Sequence, residues 1–187
     1  MPVLSAFRLP RFASCLAALL LAFAAAPGMA AVSVTFYSKE LGTSFPHSFV
    51  TVEGTLDRGG PRIAEDYGFT AKAVSPAILW GKVKGHVISD HSAGYVKGSE
   101  KHFTVTLTDA EYDRMIGTIA RWNAAKQPSY DLEKANCVHF VAALAQSIGM
   151  RVDTSKLIKK PRSFLDATAA ANRAWLASRR AVFHRKV

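Results

Sequence analysis

The order in which two hydrophobic periods appear along the chain constrains its fold more than any other feature. Alternating, β-branched stretches come first: residues 32–37, 47–56, 67–74, 82–89 and 102–107 read as short strands. Helical spacing begins only afterwards. Thr108 and Glu111 form a Thr-x-x-Glu capping box ahead of the stripe Tyr112, Met115, Ile116, Ile119 and Trp122, and this helix ends before Pro128. A second helix opens at Asn136, an N-cap residue, carries Val141, Leu144, Ala145 and Ile148, and stops at Gly149, a left-handed C-cap. A third begins at Pro161 with Phe164, Leu165, Ala171, Trp175 and Leu176. Strands followed by helices predict an α+β domain: an antiparallel sheet of 4–6 strands with helices packed on one side. In the strongest strand His47, Phe49, Thr51 and Glu53 share one face and Ser48, Val50 and Val52 the other. Neither set is purely apolar, so which face is buried stays open.

The first thirty residues have the pattern of a secretory leader. Arg8 and Arg11 precede an apolar run over 13–26, and Pro27-Gly28-Met29-Ala30 supplies a breaker and small residues for cleavage after Ala30. Export to the periplasm or the outside is the expectation. The 157 residues that follow Ala30 suffice for one domain. Charge is uneven along them. Residues 31–150 hold 12 basic and 12 acidic side chains, whereas residues 151–187 hold 10 and 2. The expected organisation is a leader over 1–30, a domain over 31–172 and a basic tail over 173–187. Such a tail fits an anionic surface; no aromatic or glycine-rich nucleic-acid module accompanies it, so nucleic acid is not an expected partner.

Cys15 falls within the leader, which leaves Cys137 as the one cysteine of the mature chain, in a compartment where cysteines are usually paired. An unpaired thiol there points to chemistry. At the first turn of its helix Cys137 has free backbone N–H groups and the positive end of the helix dipole beside it, which favour a thiolate and can hold an oxyanion. A small buried residue on the inner stripe is the alternative reading of the same position. A cysteine nucleophile needs an imidazole. His139, two residues on and about 200° around the helix, faces away. His86, His91, His102 and His184 lie at strand ends, in loops or in the tail. His47 starts the strongest strand, where a strand end meets a helix N-terminus. Zinc fits neither the spacing of His86 and His91 nor a lone thiol, so no metal and no cofactor is expected.

Asn136-Cys137-Val138-His139-Phe140-Val141 resembles the Asn-Cys-x-His-Phe-Val signature of the lecithin:retinol acyltransferase group. A histidine strand ahead of a cysteine helix is similar to the circularly permuted papain-like fold that this group shares with permuted NlpC-type peptidases. The resemblance covers about residues 45–149 and implies Cys137 as nucleophile and His47 as base. Its second histidine, about a dozen residues after the first, is replaced here by Gly59. The residue that orients the imidazole is then expected on the next strand, at Asp66 in preference to Thr70; Glu53 is ~20 Å along the strand from His47. Tyr130 resembles a tyrosine ahead of the cysteine in related bacterial proteins, placed to line the acyl site or donate to the oxyanion. The expected activity is an exported cysteine hydrolase or acyltransferase acting on an amide or ester bond, of a cell-wall peptide or a lipid. The other function these residues allow is a non-catalytic binding domain of the same fold, held to an anionic surface by its basic C-terminal helix.

Overall fold

The computed structural model describes residues 31–40, 45–73 and 75–184. The leader, the turn expected at Gly42-Thr43-Ser44 and the end of the third expected strand at Val74 lie outside the described residues. Among the described residues six strands form one antiparallel sheet: β1 (Val32–Lys39), β2 (His47–Gly54), β3 (Ile63–Ala71), β4 (Gly85–Ile88), β5 (Glu100–Leu107) and β6 (Val182–Phe183), in the spatial order β4-β3-β2-β1-β5-β6. The helices are α1 (Ala93–Lys97), α2 (Asp109–Asn123), α3 (Cys137–Ser147), α4 (Pro161–Ala171) and α5 (Arg173–Ser178). The protein is therefore α+β, with the histidine strand β2 preceding the cysteine helix α3 along the chain.

Alternation along the strands sends Val34, Phe36, Val50, Val52, Phe69, Phe103 and Val105 to one face. There they form a single core with Met115 of α2, Val138, Val141 and Leu144 of α3, Phe164 and Leu165 of α4, and Leu176 of α5. Phe36 and Phe103 stack at 4.7 Å across β1 and β5. The opposite face is also covered. Tyr37 and Phe49, register partners on β1 and β2, stack at 4.9 Å, and His91 and Tyr95 close over Phe49 at 4.5 and 5.6 Å. This explains the mixed pattern of β2: helices bury Ser48, Val50 and Val52, while the loop into α1 buries Phe49. The segment 90–98, expected as loop, supplies that cover by forming α1, capped where the Ser92 hydroxyl accepts from the Tyr95 N–H.

Boundaries shift where turn residues pair more extensively than composition indicates. The third strand starts at Ile63, not residue 67, because Ile63 to Gly68 continue the antiparallel ladder with Gly54 to Phe49. The α2 capping box is present in both directions, Thr108 with Glu111. The helix from Pro161 breaks at Asn172, whose buried amide donates to Arg151 O and Thr168 O and accepts from Arg151 N–H. The chain then turns into α5, buries Leu176 completely, and pairs Val182 and Phe183 with Thr104 and Phe103. Leu176 and the β5–β6 pairing attach this segment to the domain.

Candidate active site

Asn136 builds the N-terminus of α3. Its Oδ1 accepts from the N–H groups of Val138 at 2.9 Å and His139 at 3.1 Å, and its Nδ2 donates to Leu132 O at 2.7 Å and Ile158 O at 2.8 Å. One buried side chain thus fixes the first turn of the helix and two flanking loops. His139 turns back toward the cap, with Nδ1 3.0 Å from Asn136 Oδ1, away from the thiol as its position around the helix requires.

Cys137 is a buried free cysteine. Burial raises its thiol above the ordinary value, while the Ser48 N–H and hydroxyl and the N–H groups of Val138 and Cys137 pull the other way. The thiolate expected from a helix N-terminus is therefore not the resting form, because desolvation outweighs these donors. Ser48 was missed in the sequence, because alternation along β2 separates its face from that of His47 without saying which of the two meets the helices. Its hydroxyl is buried and has no hydrogen-bond partner among the described residues, which leaves it to the sulfur.

His47 and Cys137 line one cavity of about 720 Å³. The cavity sits at the end of β2 and β3 and takes in both sides of the sheet there: Thr70 and Ala71, adjacent residues of opposite orientation, both line it, with Phe45, Ile78, Tyr130 and Ile158. Among the described residues no hydrogen bond joins imidazole to thiol. The His47 ring lies over Gly68, and its buried Nε2 has no partner among the described residues. Burial, and then the neighbouring His91, depress its pKa to about 3. Resting thiol and resting imidazole are thus both neutral at pH 7.

Asp66 does not reach the role expected for it. Its carboxylate accepts from the Nδ1 and the backbone N–H of His91, so His91, not His47, is the ring it orients. Continuing the β2–β3 register by one more pair step from Phe49 and Gly68 puts Thr70 across from His47. His91 gave no sequence signal beyond its loop position. It is brought to the site by the fold, packed between Phe49 and Tyr95. Tyr130 is half-buried, stacks on Phe69 at 5.7 Å and lines the cavity. Burial, and then Cys137 once it is ionised, raise its phenol, and the same two causes raise that of Tyr95. Both phenols therefore stay protonated donors in the field of the sulfur.

No family model and no curated protein matches the chain. Among solved structures, it is similar to the crystal structure of a type VI secretion system effector, TseH, with a TM-score of 0.48 and 15% identity over 76% of this chain and 90% of that one.

A second histidine cluster lies at the same end of the sheet. His102 is buried, with Nε2 2.8 Å from Ser38 Oγ and Nδ1 2.8 Å from Asp166 Oδ1. The sequence placed it at an exposed strand end. A register shift between Phe36 and Tyr37, a bulge that leaves His102 without a register partner on β1, turns it inward toward α4. The Ser-His-Asp order resembles a hydrolytic triad, but Ser38 and His102 are sealed from solvent and the cluster ties α4 to the sheet.

Proposed function

We propose that the protein is an exported cysteine-dependent hydrolase or acyltransferase acting on an amide or ester bond. A single observation carries this reading: the thiol at the first turn of α3 and the unpartnered imidazole of His47 face one cavity. In the reaction His47 takes the proton of Cys137 as sulfur attacks the carbonyl carbon. The carbonyl oxygen becomes an oxyanion held by the Cys137 N–H at the start of α3 and by the Tyr130 hydroxyl. The imidazolium returns its proton to the leaving nitrogen or oxygen as that bond breaks, and water or another acceptor releases the acyl group from sulfur. Starting from a neutral pair makes His47 a general base, rather than the partner of a preformed ion pair. Phe45, Ile78, Ile88, Leu132 and Ile158 around the cavity favour an acyl portion with an apolar surface next to the scissile bond. The leader-like first thirty residues support export, which brings wall peptides and membrane lipids within reach.

The test is turnover. Purified protein is incubated with p-nitrophenyl esters of increasing chain length, with lipid esters and with a wall digest, alongside Cys137→Ala. Release of product that the variant abolishes supports the reading. A protein that binds these materials without turnover, with Cys137 alkylated only after unfolding, is instead a binding domain, the outcome that the neutral resting pair would then explain.

A further inference from the structure

Two imidazoles converge above Gly68. A Cβ at that position would lie 2.7 Å from His47 Nε2 and 3.0 Å from His91 Cε1, so no side chain other than hydrogen lets both rings occupy this place. The rings are 5.7 Å apart between centroids and tilted by 37°. Each has a buried Nε2 without a partner among the described residues. Two orphaned ring nitrogens side by side are unusual, since a buried polar atom left unmatched is costly. Their protonation is not arbitrary. The Asp66 carboxylate accepts, so the His91 Nδ1 next to it carries a proton, and in that tautomer Nε2 is the acceptor nitrogen. The His91 side chain is 6% exposed and held by the stack of Phe49 and Tyr95, so this acceptor has a fixed position.

We infer that His91, anchored by Asp66, is the positioning residue for His47: its Nε2 accepts a hydrogen bond from His47 Nε2–H, directly after a small ring rotation or through one water. This fixes the tautomer that leaves His47 Nδ1 as the free base in the cavity that Cys137 also lines. The inference rests on the proposed cysteine chemistry and adds to it the source of the orienting group. The role expected of a single residue on β3 is divided between a carboxylate on that strand and an imidazole from the loop after β4, with Gly68 as the floor on which they meet. The titratable groups around the pair include Lys39 of β1, in register with His47, Asp66 of β3, His86 of β4 across Thr70 and Tyr95 of α1, while Cys137 of α3 lines the same cavity.

Long-range ¹H–¹⁵N correlation of the histidine rings at pH 7.5 reads the tautomers without a substrate. His47 is expected as the Nε2–H form in the unmodified protein. In His91→Phe, which keeps the aromatic stack and removes the acceptor, it should become mixed or switch to Nδ1–H. In His91→Gln, whose carbonyl can accept, the Nε2–H form should return. The rate of Cys137 alkylation by iodoacetamide across pH 6–9, on protein shown to be folded by circular dichroism, should fall about tenfold in His91→Phe and recover partly in His91→Gln. A His47 ring in the Nδ1–H form in the unmodified protein, or a tautomer and alkylation profile indifferent to His91→Phe, overturns the inference. If His47→Ala also leaves alkylation unchanged, the cysteine chemistry itself fails; if His47→Ala slows it and His91→Phe does not, only the positioning role fails. Gly68→Ala gives a second route: it should displace His47 and lower alkylation as His91→Phe does, and an unaltered rate with both rings in place counts against the shared floor.

Discussion

His102 and His47 sit at the same end of one sheet, both largely withdrawn from water, and differ in what their rings find there. His102 has Ser38 on one nitrogen and Asp166 on the other, on the helix side of the sheet. His47, over Gly68 on the far face, has an orphaned Nε2, beside a second imidazole with an orphaned Nε2, at the wall of a cavity that also receives a thiol. A buried histidine with both nitrogens matched has its hydrogen-bonding capacity used up by the fold. One with an unmatched nitrogen beside a cavity keeps that capacity for a ligand or a reacting group. The contrast separates two residues that composition and burial alone make equivalent, and it predicts that their variants fail in different assays.

The largest expected effect is on turnover. Cys137→Ala should lower it at least about 10³-fold, and His47→Ala comparably, with melting temperature nearly unchanged, because groups that act as a unit each remove most of the acceleration. Comparison of initial rates and thermal melts for the two variants checks this. The next effect falls on stability and should appear only at the matched site. His102→Ala leaves Ser38 and Asp166 facing a void and should cost about 2–4 kcal/mol in urea unfolding with thiol reactivity preserved. A His102 variant that folds as well as the unmodified protein but loses turnover would erase the distinction.

The local parts of the fold and the site were visible before the fold was known. Asn136 as N-cap, Cys137 at the first turn, the Thr108–Glu111 box and the left-handed Gly149 all follow from local chemistry, and the structure has each of them. The position of His47 at the start of a strand is local too. What escaped is non-local. The partnership of His91 with Asp66 spans 25 residues and depends on α1 folding over Phe49; His102 is turned inward by a bulge that no residue pattern announces. Ser48 was hidden for another reason. On β2 both faces are buried by different elements, so alternation did not say which face meets the helices. The raised Cys137 thiol reflects the same limit: a helix N-terminus is readable locally, but the desolvation that opposes it comes from the assembled core.

A smaller effect concerns acid. The folded pKa of His47 is about 3 against an ordinary 6.5 when unfolded, so between these values the unfolded chain holds a proton that the folded chain excludes. Its contribution is complete above about pH 6.5 and is lost as pH falls toward 3, with a slope of about 1.4 kcal/mol per pH unit. His47→Gln should therefore flatten the acid limb of stability, measured by urea unfolding between pH 4.5 and 7. His102→Gln should flatten it less, because burial lowers its pKa while the Asp166 carboxylate pulls it back up. Equal flattening by both variants would mean that the two sites treat a proton alike.

The smallest effect belongs to the C-terminal segment, and it extends the contrast to a carboxylate. Glu111 lies under α5, where burial works against its charge. The Arg179 guanidinium at 2.7 Å and the Thr108 N–H and hydroxyl reverse that and hold its pKa below the usual range. Arg179 also lies 4.2 Å from the centre of the Trp175 ring. Its charge is thus spent within the domain, which reduces what a basic tail could offer an anionic surface. Because the Arg179 side chain is about a third exposed, solvent screens the pair, and Arg179→Ala should lower stability by no more than about 1 kcal/mol. Thiol alkylation and sedimentation with anionic liposomes should both be unchanged. Reduced sedimentation, recovered at low salt, would instead assign Arg179 to surface binding and show that a matched ion pair can still serve a partner outside the fold.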